Sequence, residues 1–185
     1  MPGPGCGGSP GISLLPFWPF IDFMGGEYGN ALLSRFPLQE VQVFPVPDIP
    51  KEKRDGWFES RSHLRCRLDL GGREIFTLTS HYGLSQEEIQ NAVLETLRLA
   101  GETELPLIFM GDLNEKPDSP LLAPLFSVFT DSAEEMEGPG FTYPSDHPCE
   151  KIDYLFHKNG IRTLKAWIPE TTHSDHRPFC ARLAL

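Results

Sequence analysis

The sequence predicts a layered α/β domain in which two β-sheets pack face to face with at least one helix outside them. Three observations lead there. Apolar runs of strand length recur along the chain, one segment alone has a strong helical period, and the strands follow one another in an order that does not alternate with helices as βαβ units would. A length of 185 residues suits one domain able to bury a sizeable core. Seventeen glycines and 18 prolines, with 39% hydrophobic and 23% charged residues, exclude a coiled coil, a collagen and a long disordered tail.

Taken in order, residues 1–20 are rich in Gly and Pro and carry no charged side chain. The apolar stretch 12–23 is interrupted by Pro16 and Pro19 and lacks a positive start, so it reads neither as a secretory signal nor as a membrane span. The composition places one boundary near Gly25, with a Gly/Pro-rich apolar head at 1–25 and one folded unit at 26–185. Short strands are expected at 31–34 and 41–44 around Phe36 and Pro37, followed by a polar loop at 45–55 containing Pro45, Pro47 and Pro50. In 62–70, Leu64, Cys66, Leu68 and Leu70 alternate with His63, Arg65, Arg67 and Asp69, which predicts a half-buried strand with one solvated face. Gly71-Gly72 supplies a two-residue turn into a partner strand at 73–80.

Ser85 with Glu88 three residues later forms a capping box, and Ile89, Ala92, Val93, Thr96, Leu97 and Ala100 then make one apolar stripe. A helix over 86–100 follows, with Gly101 as its stop. The run 106–110 is continuously apolar, as in a strand covered on both faces, and ends at Gly111-Asp112. Further strands are expected at 152–157, 161–168 and 178–183.

Polar residues at strand ends carry the chemistry. Asp112 and Asn114 in Gly111-Asp112-Leu113-Asn114 share a face if the segment is extended, one a proton acceptor and the other an amide donor to phosphate or water. In Ser174-Asp175-His176-Arg177-Pro178, a carboxylate beside an imidazole offers a hard ligand for Mg²⁺ and a switchable proton donor. Asp153 in Lys151-Ile152-Asp153-Tyr154 is an acid in an apolar strand, and orienting a histidine is a common use of such a group. His81, at the end of the strand 73–80, is a further candidate. Each pattern alone also has a plain structural explanation as a turn residue or a surface charge.

Their joint order is more specific. Gly29-Asn30-Ala31-Leu32-Leu33-Ser34-Arg35, Thr79-Ser80-His81 with Gly83-Leu84, Gly111-Asp112-Leu113-Asn114, Ile152-Asp153-Tyr154 and Ser174-Asp175-His176-Arg177-Pro178 together resemble the endonuclease/exonuclease/phosphatase superfamily of deoxyribonuclease-I-like enzymes. The resemblance implies a four-layered α/β sandwich, two packed and mostly antiparallel sheets flanked by helices, and hydrolysis of a phosphodiester or phosphomonoester that depends on Mg²⁺ or Mn²⁺. It implies Asp112 as the base that activates water, Asn114 as its partner in placing water and phosphate, and His176 as a contact to the scissile phosphate. By the same resemblance Asp153 orients His176, His81 is a second phosphate-facing group, and Asp175 is a metal ligand.

Two departures accompany the resemblance. Family members carry an upstream Asn and Glu at the metal, whereas residues 1–28 contain no Asn and only Glu27, so the domain is expected to be N-terminally incomplete and its metal affinity reduced. Leu38-Gln39-Glu40 imitates the family's Gln-Glu pair on the wrong side of the Gly29–Arg35 landmark and is read as coincidence. Missing strands would expose a sheet edge, and the head around Leu14, Leu15, Phe17, Trp18, Phe20 and Phe23 is expected either to cover that edge or to be poorly ordered. The alternative to an enzyme is a truncated, non-catalytic remnant that cannot hold its metal. A net charge of -10 leaves no basic excess to attract a nucleic-acid backbone at long range, and the lack of a basic run interleaved with aromatics favours a smaller phosphate ester over a duplex, with a small molecule or a nucleic acid both open as the phosphate-ester substrate. Four scattered cysteines without a zinc-site spacing fit a reducing, cytoplasmic setting.

Overall fold

The computed structural model describes residues 13–14, 21–23, 26–54 and 58–185. The boundary near Gly25 and the side chains assigned to edge covering lie outside the described residues. Among the described residues, the twelve strands and two α-helices are β1 (Ser13–Leu14), β2 (Ile21–Phe23), β3 (Gly26–Tyr28), β4 (Leu33–Ser34), β5 (Leu38–Pro45), β6 (Ser62–Asp69), β7 (Glu74–His81), α1 (Gln86–Gly101), β8 (Leu107–Asp112), α2 (Ala123–Phe126), β9 (Thr130–Asp131), β10 (Asp153–Lys158), β11 (Arg162–Trp167) and β12 (Cys180–Ala184). A six-stranded sheet runs in the order β5-β6-β7-β8-β10-β9, beside the two-stranded pairs β1-β4, β2-β3 and β11-β12. This is the mixed α/β architecture expected, with few helices. No helix among the described residues is long and apolar enough to cross a membrane.

The β6–β7 hairpin forms as its alternation predicts, and Gly71 and Gly72 adopt φ of 81° and 91° in the turn. Its solvated face is a correction. His63 is fully buried because α1 crosses that face, while Arg65, Arg67 and Asp69 stay partly exposed, Arg65 pairing at 2.7 Å with Glu102 beyond the end of α1. Helix α1 starts at the expected capping box and buries Ile89, Ala92, Val93, Thr96, Leu99 and Ala100. It runs one residue past its expected end and takes in Gly101, the residue expected to stop it.

The connection β7–α1–β8 is one βαβ unit, because β7 and β8 pair in parallel while every other pairing is antiparallel. Strand β8 continues past Met110 through Gly111 and Asp112, since both residues remain paired with β7 and β10. On the face beneath α1 and α2, Leu78, Tyr82, Leu107, Phe109, Tyr154 and Phe156 build the main core. Burying each such side chain stabilises by roughly 1.5–3 kcal/mol. On the opposite face β11 lies across β10, where the buried His157 Nε2 meets Thr163 Oγ1 at 2.8 Å. Edge strand β5 bulges between Gln39 and Gln42, and Glu40 there pairs with Arg67 at 2.9 Å.

Candidate active site

Strand register builds the site. His81 of β7 is the partner of Asp112 of β8, which is the partner of Asp153 of β10, so three titratable residues stand side by side at the ends of adjacent strands. Side chains opposite one another across a ladder share a face. Here it is the face away from α1, and the core-facing neighbours Tyr82 and Tyr154 alternate with them.

Gly111 makes this row possible. Its φ is 151°, and a Cβ there would stand 1.8 Å from the Ser80 carbonyl oxygen. Only glycine lets β8 run this close to β7 one residue before Asp112.

His176 arrives from the loop before β12. Its Nδ1 lies 2.7 Å from Asp153 Oδ2, and its Nε2 faces Asp112 Oδ2 at 3.8 Å. That loop is clamped by a second one. Ser145 N donates to Asp175 O at 2.7 Å, Arg177 N donates to Thr142 O at 2.8 Å, and Arg177 Nε donates to Ser145 O at 2.7 Å. Tyr143 packs its ring 4.8 Å from the His176 imidazole.

Asp112 accepts from the Asn114 backbone N–H at 2.8 Å. Asn114 has φ of 52°, so the segment turns after Asp112 and the two side chains do not align by strand alternation. The Asn114 amide instead donates to Tyr82 O at 2.9 Å, and the turn still brings it into the same cleft. His81 presents Nε2 to Asp112 Oδ2 at 3.5 Å and Nδ1 to the Tyr28 hydroxyl at 3.0 Å.

These contacts divide the ionisation states. Burial pushes the Asp112 carboxyl up to about 6, with the Asp153 charge adding to it and the Asn114 N–H opposing it. Burial pulls His81 down to about 4, helped by the Arg61 guanidinium and by His176. Burial works against the His176 imidazolium too, but the Asp153 hydrogen bond and the carboxylates of Asp153, Asp112 and Asp175 outweigh it and raise its pKa. At neutral pH the site therefore presents an ionised Asp112 whose proton affinity is enhanced, a neutral His81 and a charge-stabilised His176.

A cleft of about 710 Å³ joins all six sequence-predicted residues, His81, Asp112, Asn114, Asp153, Asp175 and His176. Ligand atoms of Asp112, Asp153 and His176 lie within 4.8 Å of one another. Asp175 is exposed at the same cleft, and its Oδ1 accepts from Ser174 Oγ at 3.1 Å. Carboxylate oxygens of this kind suit a hard divalent cation such as Mg²⁺ or Mn²⁺. Glu40 does not line the cleft.

Sequence reasoning missed Tyr28, Glu59, Arg61 and Tyr143, which also line it. Arg61 Nη2 pairs with Glu59 Oε2 at 2.8 Å. No local pattern marks these residues, because a charge before a strand or a tyrosine beside a proline is ordinary in any loop.

Comparison with known proteins places the fold. The Escherichia coli K12 protein YbhP is 28% identical over 172 residues, covering 86% of this chain, and the chain spans 64% of that relative's length. Among solved structures, the Bacteroides thetaiotaomicron mannosyl-6-phosphatase Bt3783 superposes with a TM-score of 0.76 at 18% identity, covering 95% of this chain and 78% of that one. An endonuclease/exonuclease/phosphatase from Bacteroides vulgatus matches with a TM-score of 0.69 at 21% identity, over 81% of this chain and 66% of that one. Danio rerio TDP2 complexed with a single-strand DNA product gives 0.67 at 15% identity, over 94% and 78%. The model of the endonuclease/exonuclease/phosphatase family matches residues 5–176, starting within the Gly/Pro-rich head, and the chain belongs to that family.

Proposed function

We propose that the chain is a phosphoesterase that hydrolyses a phosphodiester or phosphomonoester by base-activated water. The observation that carries this reading is the in-register row His81–Asp112–Asp153 completed by His176 at 2.7 Å from Asp153. Asp112 takes the proton of the attacking water, its affinity raised by burial toward the operating range of a general base. Asn114 places water and phosphate beside it. Asp153 fixes His176 with Nδ1–H donating to the carboxylate, so that Nε2 faces the phosphate as donor. His81 is the second phosphate-facing group, held through Nδ1 by Tyr28.

Asp175 is the residue assigned to hold Mg²⁺ or Mn²⁺, at the cleft it shares with Asp112. A divalent cation bound there would supply Lewis-acid polarisation of a phosphoryl oxygen.

Charge bears on the substrate class. The chain's net charge of -10 favours a small phosphate ester over a long nucleic-acid strand. The family fold accommodates both, as a mannosyl-6-phosphatase and a DNA-bound TDP2 among its structural neighbours illustrate.

Hydrolysis of bis-p-nitrophenyl phosphate and p-nitrophenyl phosphate in Mg²⁺ or Mn²⁺ tests the reading. Asp112→Ala and His176→Ala should each lower kcat by roughly 10²- to 10⁴-fold in folded protein. Activity indifferent to both substitutions would sink the assignment. The second reading, a domain that keeps the cleft without catalysis, draws on Asp175 standing outside the close group Asp112, Asp153 and His176. Calorimetric titration showing no Mg²⁺ binding at millimolar metal would favour it.

A further inference from the structure

Among the described residues, Lys151 is the one lysine or arginine that is fully buried. Its Nζ lies 3.0 Å from Asp131 Oδ2, and each side chain is only 6% exposed. The ammonium stands 3.5 Å from the centre of the Tyr154 ring and 5.4 Å from that of Phe179, and it donates to the Asp153 carbonyl oxygen at 3.3 Å. The stem runs beneath the 136–140 loop, where a Cβ added at Gly140 would meet Lys151 Cδ at 3.2 Å.

An enclosed ion pair of this kind is weak evidence for stability, because lost hydration offsets most of the attraction and a packed apolar pair would serve the fold equally well. The pair does something an apolar one would not. It contacts both sides of the Asp153–His176 hydrogen bond: Asp153 directly through its carbonyl, and the His176 segment through the ring of Phe179, three residues further along the chain. Its anchor, Asp131, is itself fixed on β9, where it faces Phe156 of β10 and accepts from Ala133 N at 3.0 Å.

We propose that Lys151 is a positioning residue of this site. Its ammonium, anchored on Asp131, holds the Asp153 backbone and the His176 segment in the alignment that produces the 2.7 Å His176–Asp153 hydrogen bond. Lys151 touches no reacting atom and acts through Asp153 and His176. Its effect on rate rests on the phosphoesterase reading above; its effect on geometry does not.

Lys151→Met alone strands a buried Asp131 carboxylate and destabilises the fold. The decisive variant is therefore Lys151→Met with Asp131→Asn, which removes both charges while keeping volume and the acceptor for Ala133 N. Two readouts are taken on this variant and on the parent. The first is the low-field, slowly exchanging Nδ1 proton of His176 by NMR, without substrate. The second is kcat and KM for bis-p-nitrophenyl phosphate. The double variant should melt close to the parent, lose the His176 proton signal, and show kcat lowered roughly 10- to 100-fold with KM little changed. A folded double variant that retains the parent signal overturns the proposal, because the pair would then be structural only. If the parent hydrolyses no phosphate ester, the phosphoesterase reading fails while the NMR comparison still decides the role of Lys151.

Discussion

His63 should make the protein acid-sensitive in a way that one substitution can isolate. Its ring is fully buried between β6 and α1, where Nε2 meets Thr96 Oγ1 at 2.6 Å. Thr96 already donates to Ala92 O, and the Tyr82 hydroxyl stands 2.6 Å from the same oxygen. Both neighbours must therefore donate to Thr96, which puts the neutral ring's proton on Nε2 and leaves Nδ1 bare, with no partner among the described residues. Burial pulls His63 down to about 4 from 6.5. The folded state refuses a proton that the unfolded chain accepts, so this contribution is intact above pH 6.5 and is lost as pH falls toward 4. At 1.36 kcal/mol per pKa unit the full loss is about 3 kcal/mol, and between pH 7 and pH 4.5 it is about 2.5 kcal/mol. Other groups titrate over the same range: His81 acts with the same sign, and Asp112, whose pKa is raised, acts with the opposite one. The measurement is therefore a difference. Urea unfolding of the parent and of His63→Gln at pH 7 and pH 4.5 should show the parent losing about 2.5 kcal/mol more than the variant, or roughly 5–10 °C in Tm. Parallel losses would refute the assignment of a buried neutral His63. The test bears on the site, because Tyr82, which shares this network, donates through its N–H to Asp112 O and accepts from Asn114.

Two further outcomes follow from the strand ends. Gly111→Ala places a Cβ against the Ser80 carbonyl, backbone against backbone, and should destabilise by at least about 3 kcal/mol in urea unfolding while abolishing hydrolysis; an unchanged midpoint would contradict the close approach. Asp153 raises the Asp112 pKa by its charge and the His176 pKa by its hydrogen bond. Residual kcat/KM of Asp153→Asn should therefore show both limbs of its pH profile displaced to lower pH, the acid limb from near 6. Limbs that stay in place would separate Asp153 from both groups.

Much of this site is legible in the sequence because strand ends write it locally. Asp112, Asp153 and His81 each close or open an apolar strand, and their motifs keep chain order. Register then does what no motif states: it sets His81 against Asp112 and Asp112 against Asp153. The burial of His63 was illegible for a different reason. Alternation assigns residues to faces, but only the path of α1 decides which face meets water, and that path is a tertiary choice. Arg61, Tyr28 and Tyr143 reach the cleft through loops whose course depends on long-range packing. Lys151 reads as the polar start of a strand until Asp131, 20 residues earlier, is seen against it.

The charge balance of the cleft yields the last expectation. Glu59 is paired with Arg61 and Glu150 with Lys116, which leaves the three carboxyl groups of Asp112, Asp153 and Asp175 facing the single imidazole of His176, with His81 neutral. At pH 7.5 the unpaired groups therefore carry a net negative charge, as does the whole chain. One excess charge about 5 Å from a phosphate opposes it by roughly 3 kcal/mol at an effective dielectric of 20. A doubly charged phosphate monoester is opposed more strongly than a singly charged diester. Inorganic phosphate should consequently bind at least about 100-fold more tightly when millimolar Mg²⁺ is present than in EDTA, as read by calorimetry. The gain should shrink in Asp175→Asn if that carboxylate is a ligand. Phosphate that binds equally well in EDTA would mean that Arg61 and His176 suffice to hold the anion, and the case for a cation in this cleft would lose its electrostatic basis.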